Sequence, residues 1–128
     1  MGEPGSDEFN RAVEGRDDVL ISDLTLTEVI SALARRLREG ALTREIVRRV
    51  QHAMIERLDG DTYHRIELTR DVHRRAEHFL LTLTGMPLRA ADALHLALAT
   101  SSHALSLASF DARLRAAARA VGLATYPP

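Results

Sequence analysis

HALSLASFDARLRAAARAVGLATY, residues 103–126, contains two short apolar runs with an alanine-rich stretch of helical period between them. HALSLAS (103–109) holds a buried strand, FDARLRAAARAVG (110–122) reads as a helix, and LATY (123–126) is a final strand before Pro127 and Pro128. A strand, a helix and a second strand in succession are the mark of an α/β domain with a mostly parallel sheet.

The same alternation extends toward the start of the chain. AADALHLALA (90–99), after Met86 and Pro87, reads as a fifth helix, and RDVHRRAEHFLLTLTG (70–85) as the one before it. YHRIELT (63–69) alternates in the manner of a strand. TREIVRRVQHAMIERL (43–58) places Ile46, Val47, Val50, Met54 and Leu58 on one helical face and is ended by GDT (60–62). Leu26, Val29, Ile30, Leu33 and Leu37 have the same spacing, so a helix is expected from Leu26 to Glu39 with Gly40 at its end. DVLIS (18–22) reads as a buried strand, and Ser6 as the cap of a first short helix that runs to Glu14 and closes at Gly15. No repeat, linker or low-complexity tract interrupts this order.

The bulk composition narrows the class. A length of 128 residues suits one domain over residues 1–128, and 45% hydrophobic with 27% charged residues is ordinary for a soluble globular protein. No apolar run reaches the length of a membrane span. The absence of cysteine removes disulfides, thiolate nucleophiles and cysteine-bound zinc. MGEPGSDEFN (1–10) has neither a basic stretch nor an apolar core, so no secretory signal is visible and a cytoplasmic location is expected. Lys and Arg total 17 against 18 Asp and Glu, which excludes a strong global positive field. Clusters such as Arg35, Arg36, Arg38 and Arg74, Arg75 remain able to meet phosphate or carboxylate locally. Neither a dinucleotide-binding nor a P-loop glycine pattern occurs, and HRRAEH (73–78) is one residue longer than the inverted zinc-protease spacing.

Three acids fall at corresponding places. Glu28, Asp92 and Asp111 each lie in the opening turn of an expected helix. Each has a structural reading, because helix N-termini favour acids by about 0.3–1 kcal/mol, and Thr25 with Glu28 has the spacing of a capping box. Each also has a chemical reading. In open α/β sheets the carboxyl ends of strands and the starts of the following helices face one crevice, and carboxylates gathered there suit hard cations such as Mg²⁺ or Mn²⁺. Paired ions in such a site stabilise the attacking and leaving oxygens of phosphodiester hydrolysis.

ISDLTLTEVISALAR (21–35), LRAADALHLALA (88–99) and LASFDARLRAAARAVGL (107–123) together resemble three successive signature regions of the PIN domain, and in particular the VapC-type toxin ribonucleases of type II toxin–antitoxin systems. The resemblance implies a PIN-like, Rossmann-like three-layer α/β fold with a mostly parallel sheet flanked by helices. It implies a metal-dependent endoribonuclease using Mg²⁺ or Mn²⁺, with RNA as substrate, a VapB-like antitoxin as cognate partner, and a homodimeric state. Glu28 matches the family's acid in the second helix, Asp92 the acid before ALHLA, and Asp111 the acid of the T-F-D motif. Ser109 stands at that motif's threonine, where it orients a metal-bound water or caps the last helix, and His95, three residues after Asp92, shares its helix face, either as a contact to RNA or to the acid or as a core-edge residue with a satisfied hydrogen bond.

The family's opening strand ends in a further aspartate. GEPGSDEF (2–9) resembles the stretch that follows that strand, so the expectation is an N-terminally truncated PIN-like domain with one strand and one acid missing, and with weakened or lost cleavage. A different class of function uses the same residues: a noncatalytic module whose acidic crevice binds an arginine of an antitoxin-type partner. Ordinary core packing explains most of Leu33, Leu37, Val47, Val50 and Met54 on the amphipathic helices, and the resemblance implies that these faces extend beyond the core into a dimer or antitoxin surface.

Overall fold

A computed structural model describes residues 18–60 and 63–127. The helix expected from Ser6 to Glu14 lies outside them. The chain divides into two compact units, Gly15–Glu67 and Leu68–Pro128.

In the unit Gly15–Glu67 the order is β1 (Val19–Ser22), α1 (Asp23–Arg38), α2 (Arg44–Asp59) and β2 (Tyr63–Ile66). β1 and β2 pair in parallel, with Val19 opposite Tyr63 and Ser22 opposite Ile66. Parallel neighbours need a long crossover, which the helical hairpin α1–α2 supplies.

α1 begins three residues earlier than its apolar spacing suggests. Ser22 is at once the last residue of β1 and the N-cap of α1: its backbone is extended, and its Oγ accepts from the Thr25 amide at 3.0 Å and donates to Thr25 Oγ1 at 3.1 Å. Thr25 is therefore inside the helix, and the expected Thr25–Glu28 capping box does not form. Periodicity points to Leu26 because the first turn, Asp23 to Thr25, carries only one apolar residue, whereas the cap needs only an extended serine. Glu28 consequently sits in the second turn, exposed.

α2 is capped by Thr43, whose Oγ1 accepts from the Ile46 amide at 3.2 Å. It contains no fully buried residue: Val47, Val50, Met54 and Leu58 are half-buried, and Ile46 and Ile55 are exposed.

The unit Leu68–Pro128 contains α3 (Arg70–Thr82), α4 (Ala90–Ser101), β3 (Ser106–Ala108), α5 (Ala112–Ala120) and β4 (Ala124–Tyr126). β3 and β4 are parallel, joined through α5, as the opening stretch of sequence predicts. The strand expected over 63–69 stops at Ile66, because Thr69 is recruited as the N-cap of α3 and accepts from the Val72 amide at 3.3 Å. α3 in turn ends at Thr82 rather than Gly85. Thr82 Oγ1 donates to the His78 carbonyl at 2.8 Å and Leu83 leaves the helical region.

α4 carries the core. Ala93, Leu96 and Ala97 are fully buried, and Leu98 nearly so. Leu96 and Ala99 meet Leu114, Ala117 and Ala118 of α5 and Leu123 ahead of β4, with Phe79, Leu83, Met86, Leu88 and Leu107 packed around them. The buried set is thus three alanines and three leucines, with Leu96, Leu114 and Leu123 filling the space that the small residues leave.

Two helices of this unit end in the same hydrogen-bonded turn. After α5, Gly122 N donates to Arg119 O and Leu123 N to Ala118 O, with Gly122 at φ 89°. After α4, His103 N donates to Thr100 O and Ala104 N to Ala99 O, but the left-handed position is filled by His103 at φ 58°. A side chain there costs about 1–2 kcal/mol that glycine does not. His103→Gly is expected to raise stability by up to about 1 kcal/mol in chemical denaturation, since His103 is exposed and the relief of strain exceeds the extra unfolded-state entropy of glycine. A variant less stable than the parent contradicts this account of the turn.

Among the described residues, no helix is long and apolar enough to cross a membrane.

Candidate active site

Asp92 is the most buried acid of the described residues, at 6% exposure. It occupies the third position of α4, and its Oδ2 accepts from the Arg89 amide at 3.0 Å. Arg89 is the N-cap, and its guanidinium has no acceptor with which to return the bond. Asp92 thus supplies the only side-chain oxygen in the α4 cap. An acid is stable in this otherwise apolar helix because it lies where backbone amides and the helix dipole favour negative charge.

Asp111 is the N-cap of α5. Its Oδ1 accepts from the Arg113 amide at 2.9 Å, and its own amide donates to Ser109 Oγ at 3.0 Å. Ser109 therefore does not cap the helix itself, which corrects the sequence expectation. It sits two residues too early and instead shapes the turn that delivers Asp111. The Ser109 amide donates to Tyr126 O at 3.1 Å, and its carbonyl accepts from Arg115 Nη1 at 3.0 Å. The carboxylate of Asp111 is about half-exposed, with Arg113 Nε at 4.0 Å.

His95 lies one turn beyond Asp92 on α4 and is half-buried. Glu28 belongs to the other compact unit, on α1. Among the described residues, no three His, Asp or Glu side chains form a group able to hold a metal ion. Asp92 and Asp111 each commit an oxygen to the backbone at the start of their own helix. The donor chemistry fits Mg²⁺ or Mn²⁺, because the candidates are all carboxylates, and Asp92 and Asp111 each carry a second oxygen beyond the one used in capping.

The sequence reading passed over Asp23. It opens α1 directly after β1, the place assigned to Glu28, and its Oδ1 accepts from Arg65 Nε of β2 at 2.6 Å. The signal was the pair Ser22-Asp23, a cap followed by a first-turn acid, obscured by starting the helix at Leu26. With Arg65 59% exposed, this pair contributes at most about 1 kcal/mol. Arg115 was also missed, because its bond to a carbonyl six residues back depends on how β3 turns into α5.

A family model described as PIN domain matches residues 1–120. No curated protein matches the chain.

Proposed function

Because the chain belongs to the PIN-domain family, whose members are in general metal-dependent nucleases, we propose that it is a VapC-type toxin endoribonuclease that hydrolyses RNA phosphodiester bonds. Asp92, Asp111 and Glu28 are the residues that hold its divalent ion, Mg²⁺ or Mn²⁺. That ion supplies a nucleophile from water at neutral pH and charge stabilisation at the phosphate. The chain's own contribution is to present carboxylates in fixed directions, and Asp92 carries the reading. It is a buried acid set rigidly at the start of the core helix, inside one of three signature stretches that occur in family order.

The partners follow from the same reading: RNA as substrate, a VapB-like antitoxin that restrains the activity, and a second copy of the chain. The half-buried apolar face of α2, which has no fully buried residue, is the surface offered for one of the last two.

One observation favours the noncatalytic module. The acid that opens α1, Asp23, is already paired with an arginine, so arginine recognition by carboxylates is chemistry this chain uses. Two measurements separate the readings. Incubation with single-stranded RNA and Mn²⁺ is expected to release fragments, stopped by a chelator. Calorimetric titration is expected to show saturable Mn²⁺ uptake that Asp92→Asn removes. A chain that neither cleaves nor takes up Mn²⁺, yet binds an arginine-bearing antitoxin peptide, is the noncatalytic module.

A further inference from the structure

We infer that Arg115 is a positioning residue for the Asp111 carboxylate; the functional consequence rests on the nuclease reading above, the structural one does not. The connection from β3 to α5 consists of Ser109, Phe110 and Asp111. Apolar burial does not hold it in place, because Phe110 is 57% exposed and Asp111 itself is exposed. Hydrogen bonds do.

Arg115 bonds both ends of this connection. Its backbone amide donates to Asp111 O at 3.0 Å, as the first turn of α5 requires, while Nη1 of its side chain reaches past that turn to Ser109 O at 3.0 Å. The Ser109 amide is held by Tyr126 O of β4, and Ser109 Oγ receives the Asp111 amide. With its amide, carbonyl and hydroxyl all engaged, Ser109 is fixed relative to both β4 and α5. Asp111, two residues on, has its direction set by that anchor and by the Arg113 amide on Oδ1. Of these bonds, only the one from Arg115 comes from a side chain outside the connection. A guanidinium-to-carbonyl bond is charge-assisted and partly shielded here, so it is stronger than an ordinary surface contact. Partners that orient a metal-ligating carboxylate typically change metal affinity by about 10–100-fold when removed.

Arg115→Met keeps the apolar stem and removes the donors, and Arg115→Lys restores a donor able to reach Ser109 O. Amide hydrogen exchange, followed by NMR, is expected to speed up about tenfold at Asp111 and Arg113 in Arg115→Met, with Ala117 and Ala118 in the buried part of α5 unchanged. The Mn²⁺ concentration for half-maximal RNA cleavage is expected to rise about tenfold, and Arg115→Lys to recover most of both effects. Unchanged exchange at Asp111 and Arg113 overturns the inference, as does acceleration spread evenly over α5, which marks a merely structural role. Should Arg115→Met not fold, Arg115→Lys with wild-type exchange supports the inference, and Arg115→Gln with wild-type exchange in spite of its shorter reach opposes it. If the wild-type chain cleaves no RNA, the nuclease reading falls, and the exchange measurement still decides what Arg115 does.

Discussion

Asp92→Asn is expected to lower Mn²⁺-dependent RNA cleavage by about 100-fold or more while moving the melting temperature by only a few degrees. The amide is isosteric with the acid, and its Oδ1 can take the Arg89 amide just as Asp92 Oδ2 does, so the cap of α4 survives. The negative charge is what disappears, and in the proposed function a divalent ion would depend on it for several kcal/mol, each 1.36 kcal/mol of which is a factor of about ten in rate. Asp92→Ala separates the two duties of the residue. It removes the capping oxygen as well and is expected to cost about 1–2 kcal/mol of stability beyond Asp92→Asn, while the loss of cleavage is the same. Cleavage that follows stability across the two variants, with Asp92→Asn near wild type, would show that Asp92 is a cap and nothing more.

The largest effect on stability is expected at Leu96. It is the one large side chain of the described residues that is fully buried, and it lies between α4 and α5. Leu96→Ala removes the buried side chain and leaves a hole lined in part by Ala99, Ala117 and Ala118, which have no rotamers with which to swing inward. The cost is expected near the upper end for such changes, about 3–5 kcal/mol, a large share of the roughly 5–15 kcal/mol that a domain possesses. Leu105→Ala is the matching control: at 88% exposure the same chemical change is expected to alter stability by less than about 0.5 kcal/mol. Urea denaturation of both variants measures the contrast, and similar losses from the two would mean that Leu96 does not occupy a tightly packed position.

The same contrast between residues explains what could be read without coordinates. The order of helices and strands was legible because it rests on periodicities that each segment carries alone, such as Ile46, Val47, Val50 and Met54 on α2 or the run of β3, α5 and β4. The boundaries were less so. Ser22, Thr69 and Asp111 are caps, and a cap is chosen by a single extended residue with an oxygen in reach, not by the apolar pattern that follows it. That competition moved α1 forward to Asp23, ended β2 before Thr69, and took the capping role from Ser109.

The candidate site divides in the same way. The residue types, their order and the family to which the chain belongs were determined by the sequence by itself: three acids in three signature stretches, with oxygen donors suited to hard cations. Tertiary structure decided which acids are buried, what each already holds, and which neighbours aim them. Asp92 is shielded because α4 is packed on its apolar faces, Asp23 is neutralised by an arginine from a strand forty-two residues away, and Asp111 is aimed by Arg115 through Ser109. None of these follows from local sequence, because burial and hydrogen-bond reach depend on distances between segments that only the folded chain brings together.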